Sequence, residues 1–185
     1  TQIVIMQLWI FVHELIHRDT VKGYRIANFF NGKFGWLRHN LALWSTIIAI
    51  PSFLFIRLAE YTAYPVLVWA LDFPKYKQSE WVNVSRHKFD GLVGHDLIWC
   101  LYCDWMTGVY SLGAEMLRNV ESFWCPIRFD SNKKCENCQL DFPDVNVWVK
   151  ADGNMEDVEK LLKDKYGDRQ RSWFGHSDRN IKIQD

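Results

Sequence analysis

Apolar residues crowd the first 73 positions of the chain and thin out beyond them. In residues 2–18, Ile3, Met6, Ile10, His13 and His17 recur near one face at helical spacing, and the segment is apolar nearly all round up to Val12. That pattern predicts a helix buried on several sides. Asn31, Gly32 and Gly35 mark a turn region. Residues 41–56, LALWSTIIAIPSFLFI, carry no charge between Arg38 and Arg57. At ~1.5 Å per residue they reach roughly 24 Å, short of the ~30 Å bilayer core, and Pro51 predicts a kink. Residues 61–73 form a second apolar run containing Pro65, and between the runs Arg57 and Glu60 stand at pairing distance along a helix. A membrane hairpin or re-entrant pair fits these runs. Two buried helices of a soluble bundle fit as well and are favoured on length alone. Trp44, Tyr61, Tyr64 and Trp69 suit an interfacial belt and a core equally.

Past residue 73 the pattern changes. Residues 74–81, PKYKQSEW, read as a polar linker. Ser85 or Asp90 is placed to cap a long helix that runs to about Trp124, is weakened at Gly108 and Gly113, and stops before Pro126. VNVWV, 145–149, alternates as a strand does, and 155–167 reads as an amphipathic helix stopped by Gly167. The tail from 168 is polar without a strong period. The expected fold is mainly α: a helical domain over 1–124, as a bundle or membrane-associated, then a small C-terminal α/β appendage over 125–185 with a Cys-containing loop, a short strand, a helix and a tail.

Composition narrows the function. Formal charge is zero, so a general affinity for nucleic acid is not expected. The charge is uneven: residues 1–75 hold seven Lys/Arg against four Asp/Glu, and the remainder fifteen against eighteen. Aromatic residues reach 16%, with ten Trp, enough for a ring-rich core, an interface or a membrane boundary. Five cysteines, an odd number, argue against a secreted disulfide scaffold and for an intracellular, reducing compartment. The opening residues lack a basic region and a small-residue cleavage site, so no secretory signal is expected, and a first residue other than Met leaves room for missing or processed residues upstream.

Three constellations carry candidate chemistry. His13-Glu14-Leu15-Ile16-His17 matches H-E-x-x-H, which on a helix sets two imidazoles on one face where they can share an iron or zinc ion, with Glu14 as a general base. Only twelve residues precede it, which leaves no room for the sheet a zinc protease places beside that helix. Glu14-x-x-His17 is also the ligand pair of ferritin-like di-iron bundles, but Glu60, Glu80, Glu115 and Glu121 are followed three residues later by Ala63, Asn83, Arg118 and Trp124, so a second copy is lacking. HELIHR resembles the first histidine box of membrane di-iron hydroxylases. That resemblance covers six residues and implies further clustered histidines, for which the chain has His39, His87, His95 and His176. The competing reading is a polar end to an apolar helix, hydrogen-bonded to its neighbours.

The second constellation is a stripe on the long helix. Taking about 100° per residue, Asp96, Cys100, Cys103, Thr107, Arg118 and Glu121 fall within about 60° of one another, and Glu115 lies off the stripe. Asp96, Cys103 and Glu115 are the candidates to complete a site with His13, Glu14 and His17. Alternatively Arg118 pairs with Glu115 or Glu121 and the small cysteines pack as hydrophobes. The third is WCPIRFDSNKKCENC, 124–138, a loop with Cys135 and Cys138 spaced as a zinc knuckle. Cys125 is the candidate third ligand and His176 the fourth. A dithiol, a disulfide or plain cysteines are the alternatives. Cys103 and Cys125 would stand roughly 33 Å apart on a continuous helix, too far for one ion.

Two functions follow as expectations. One is a metal-binding helical protein acting as a non-haem metal-dependent oxidoreductase or hydroxylase. The other is a non-catalytic structural or accessory subunit with a zinc-stabilised Cys cluster, docking on a membrane surface or protein partner through 41–73, with oligomerisation open.

Overall fold

The computed structural model describes residues 2–124, 149–150, 152–167 and 183–184. The cysteine cluster (Cys125, Cys135, Cys138), His176 and most of the expected strand at 145–149 lie outside the described residues. The fold is mainly α. In chain order the elements are α1 (Gln2–Ile16), α2 (Arg18–Val21), α3 (Ile26–Phe34), α4 (Trp36–Ser45), a 3-10 turn (Thr46–Ala49), α5 (Ile50–Tyr61), α6 (Ala63–Leu71), β1 (Lys75–Tyr76), α7 (Gln78–Trp81), a second 3-10 turn (Arg86–Lys88), α8 (Gly94–Trp124), α9 (Met155–Tyr166) and β2 (Ile183–Gln184). The chain divides into two compact units, Thr1–Ile56 with Trp81–Tyr110, and Arg57–Glu80 with Ser111–Asp185.

In the first unit, Phe53 is 2% exposed and meets Tyr102, Trp105 and Tyr110 edge-on, with ring centroids 6.1, 5.9 and 4.6 Å away. Such contacts add to area burial because ring edges face ring π-clouds. Gly108 serves close packing rather than weakness: a Cβ there would stand 2.6 Å from the Trp81 carbonyl oxygen and 2.8 Å from Val82 Cα. The chain after α7 can therefore lie directly on α8.

Several expectations about burial give way. α1 was expected to be buried on several sides, yet only Ile10 is buried among its described side chains, while Ile3, Val4, Ile5, Leu8, Phe11 and Ile16 are exposed. The turn region at 31–35 narrows to Gly35, since Asn31 and Gly32 lie inside α3 and Gly35 alone adopts the positive φ that ends it. The apolar runs are not two buried helices. Trp36–Leu71 is long and apolar enough to cross a membrane, and 6% of its most apolar window is buried. Pro51 and Pro65 break less than their residue type suggests. Each falls in the first turn of its helix, Pro51 after the 3-10 turn and Pro65 after Thr62, where a missing N–H removes no intrahelical bond. Asp72 ends α6 in the left-handed conformation, with φ 53.

The second unit centres on a polar hub. Asn119 is fully buried on α8, and its Nδ2 donates to the Tyr64 hydroxyl at 3.2 Å and the Tyr76 hydroxyl at 2.5 Å. Tyr64 in turn donates to the Pro74 carbonyl at 2.9 Å. Phe73 is fully buried against Phe123, 5.5 Å between centroids. Residues 74–81 are more than a linker: β1 pairs antiparallel with β2, Lys75 opposite Gln184 and Tyr76 opposite Ile183, and α7 follows. α9 begins at the expected place because Asn154 and Asp157 form a reciprocal capping box. Gly167 follows it with φ −55, a conformation open to any residue.

Candidate functional site

The HELIH motif sits at the end of α1, and the side chains of His13 and Glu14 serve the start of α8 in the first unit. Gly94 N donates to His13 Nδ1 at 3.2 Å, and His95 N donates to Glu14 Oε1 at 3.2 Å. Those are the first two amides of α8, which lack intrahelical partners. The cap of α8 is therefore supplied by α1, not by Ser85 or Asp90. Ser85 and Arg86 instead donate their amides to Asp104 Oδ2 at 3.0 and 3.1 Å. The long helix starts later than expected, at Gly94, whose φ is +52. A Cβ at position 94 would stand 2.2 Å from Glu14 Cγ, so glycine is what lets the carboxylate reach the helix.

Asp96 repeats the arrangement for α3. Its Oδ2 accepts from Ile26 N at 3.1 Å and its Oδ1 from Ala27 N at 3.3 Å. α3 has no side-chain cap of its own at Arg25, so Asp96 supplies one from α8. Between the carboxylates lies Arg25. Its Nη2 donates to Glu14 at 2.8 Å, its Nε donates to Asp96 at 3.0 Å, and its side chain is 10% exposed. Two carboxylates on greasy helices would be costly to bury alone; the shared guanidinium and the helix amides offset that cost.

Burial alone would raise the Asp96 carboxyl. Hydrogen bonds from His95 and Arg25, the Arg25 charge and the Ile26 amide outweigh it and hold the group below the usual carboxylate range. His13 moves down, first through burial and then through the neighbouring His17, against the pull of Glu14. It is therefore favoured as neutral imidazole. With Nδ1 accepting from Gly94, a neutral ring carries its proton on Nε2. A histidine that ligates through Nε2 ordinarily donates its Nδ1–H instead, so this hydrogen bond and that ligation exclude each other. The His13 and His17 rings do lie side by side, 4.5 Å between centroids, with Trp9 stacked on His13 at 4.6 Å.

Beside Asp96 is a cavity of about 260 Å³, bordered by His39, His95, Trp99, Cys100 and Cys103. Cys100 and Cys103 are free thiols. Burial raises the Cys100 thiol, and Arg86 beside it only partly offsets that, so it stays protonated at neutral pH. His95 Nε2 accepts from Trp99 Nε1 at 3.0 Å. Glu115 stands elsewhere, in the second unit, 4% exposed. It accepts from Tyr76 at 3.3 Å and pairs with Arg118 at 3.3 Å, the pairing the spacing allowed.

The structure thus brings Glu14 and Asp96 together with His13 and His95, and leaves Cys103 at the cavity wall. Among the described residues, no group of three His, Cys, Asp or Glu side chains is placed to hold a metal ion. The residue missed from the sequence is Arg25. Its signal was indirect: Glu14 stands on an otherwise apolar helix, and such a carboxylate needs a counter-charge. No protein-family model, curated protein or solved structure matches this chain.

Proposed function

We propose that the chain is a non-catalytic, membrane-docked accessory subunit, in which Trp36–Leu71 enters the bilayer and the Arg25 cluster locks the flanking helices together. The exposed apolar surface of Trp36–Leu71 carries this reading. Leu41, Ile48, Leu54, Phe55 and Leu58 are each more than half exposed, and water is a poor solvent for so continuous a face. α1 adds a second apolar face, though the fourteen residues Ile3–Ile16 reach only roughly 21 Å and suit the interface better than a span. The hydrogen bonds of Glu14 and Asp96 support a structural role for the HELIH motif, because each carboxylate is already engaged by a guanidinium and by helix amides. In this reading Cys125, Cys135 and Cys138, with His176, hold a structural zinc ion, as their spacing suggests.

A second reading keeps the chain as a metal-dependent oxidoreductase, and the adjacent His13 and His17 rings favour it. Elemental analysis of the detergent-purified chain separates the two. The accessory reading expects about one zinc per chain, lost on Cys135→Ser or Cys138→Ser and retained on His13→Ala. Iron, or any metal lost on His17→Ala, supports the oxidoreductase.

A further inference from the structure

The apolar run Trp36–Leu71 carries net charge at one end. Residues 18–38, which lead into it and form its first turn, hold five Lys/Arg against one Asp, whereas residues 72–80, which follow it, hold two Lys against one Asp and one Glu. Two of the five are already engaged. Arg25 pairs with Glu14 and Asp96, and Lys22 stands 3.5 Å from Asp19. Arg18, Lys33 and Arg38 are exposed and, among the described residues, pair with no carboxylate. Lys33 and Arg38 are set among apolar side chains. Lys33 Nζ lies 6.0 Å from the ring centroid of Phe29 and 5.5 Å from that of Phe34. Both rings are exposed, as are Trp36 and Leu37 beside Arg38. Gly35, with φ +84, turns the chain between α3 and α4, and the Asn31 and His39 side chains join across that turn at 2.7 Å. α3 is thereby held at the entry to the run.

Water suits these cations and not the rings around them. A neutral lipid surface takes the rings and leaves the cations unanswered. An anionic lipid surface answers both, because apolar side chains settle at the headgroup boundary while long basic ones reach the phosphates. We infer that residues 29–38 dock on an anionic lipid leaflet, with Lys33 and Arg38 meeting headgroup phosphates that carry no balancing choline. An acidic protein would meet the two charges but not the apolar run that begins beside them. The inference rests on the reading that Trp36–Leu71 enters a bilayer, and adds the class of lipid found there.

Spin-labelled lipids test it on the full chain reconstituted in phosphatidylcholine vesicles. The fraction of label immobilised at the protein, read by electron spin resonance, gives the relative affinities of phosphatidylglycerol and phosphatidylcholine. Phosphatidylglycerol should be preferred about threefold or better, the scale set by a basic side chain near an anionic surface. In about 1 M NaCl, where charges are screened beyond about 3 Å, the preference should shrink to within about 1.5-fold. Lys33→Gln/Arg38→Gln should remove it without added salt, and both positions are exposed, so the substitutions leave packing intact. Lys150→Gln/Lys160→Gln removes equal charge from the second unit and should keep the parent preference. Vesicle flotation of the same samples separates the two claims. A chain that floats yet takes both lipids equally overturns the lipid class and leaves bilayer entry standing; a chain that does not float overturns both. A preference that survives in Lys33→Gln/Arg38→Gln, or one lost equally in Lys150→Gln/Lys160→Gln, also overturns the inference. Equal uptake of both lipids together with retention on poly-glutamate resin gives the face to an acidic protein partner instead.

Discussion

Arg25 is the residue on which the first unit turns, because it answers the buried carboxylate of Asp96 and the half-buried one of Glu14 at once. Glu14 and Asp96 each keep helix amides as partners, but amides alone do not neutralise a charge. Arg25→Met keeps most of the volume and removes the charge. We expect it to destabilise the chain by about 3–5 kcal/mol, measured by chemical denaturation in detergent, since it leaves both carboxylates without a counter-ion. A loss below about 1 kcal/mol would mean the cluster is hydrated. Asp96 gives a pH dependence of definite sign. Its folded carboxyl is held below the ordinary value, about 3.9, so its stabilising contribution is complete above that value and is lost as pH falls through the lowered one. The stability difference between the parent chain and Asp96→Asn should therefore be widest near neutral pH and shrink below about pH 4. A difference that is constant across that window contradicts the role given to Asp96. The sequence pointed to Glu14 and Asp96 as candidates for one site. It did not show the base between them, because Arg25 is distant in sequence from Asp96 and only the fold brings them within 3.0 Å.

At the scale of elements, the long periodic helices were readable, whereas α3, read as a turn region, and the starts of helices capped from elsewhere were not. α1, α8 and α9 fall close to where their periodicity predicts them, because a 3.6-residue pattern over three or more turns is a strong local signal. α9 also starts where expected, since its cap is local: Asn154 and Asp157 stand three residues apart. α3 and α8 borrow their caps from other helices, so nothing beside their first residues announced them. Gly94 is the test of that borrowing. Gly94→Ala adds a Cβ where Glu14 now lies and places a side chain in the left-handed region. The backbone term alone is about 1–2 kcal/mol. We expect a larger total, together with faster amide exchange at Gly94 and His95, because the carboxylate must withdraw. Exchange that stays slow in the variant would show that α8 does not depend on the Glu14 cap. His13 and Glu14 of HELIH bond to the first amides of α8, a use of His and Glu that H-E-x-x-H spacing cannot distinguish from metal ligation.

For the whole molecule, the question is what meets the apolar surface of α4 to α6. Length counted from the uncharged stretch alone favoured a soluble bundle, because 41–56 falls short of a bilayer. The structure changes that count: the helical run Trp36–Leu71 continues past the 3-10 turn and the Arg57–Glu60 pair, and most of it outside Phe53, Glu60 and Tyr64 is left unburied. Internal pairing of two charges at i,i+3 is what allows the longer helix to remain compatible with lipid. The most direct measurement is vesicle flotation of the full chain after alkaline carbonate washing, beside the double variant Ile48→Lys/Phe55→Lys. Both positions are more than 70% exposed, so the substitutions leave packing intact, while each lysine at mid-span opposes insertion by about 2.5–3.5 kcal/mol. The account predicts that the parent chain floats with the vesicles and the double variant is released into the wash with unchanged helix content. A parent chain that stays in the aqueous fraction, monodisperse without detergent, contradicts it.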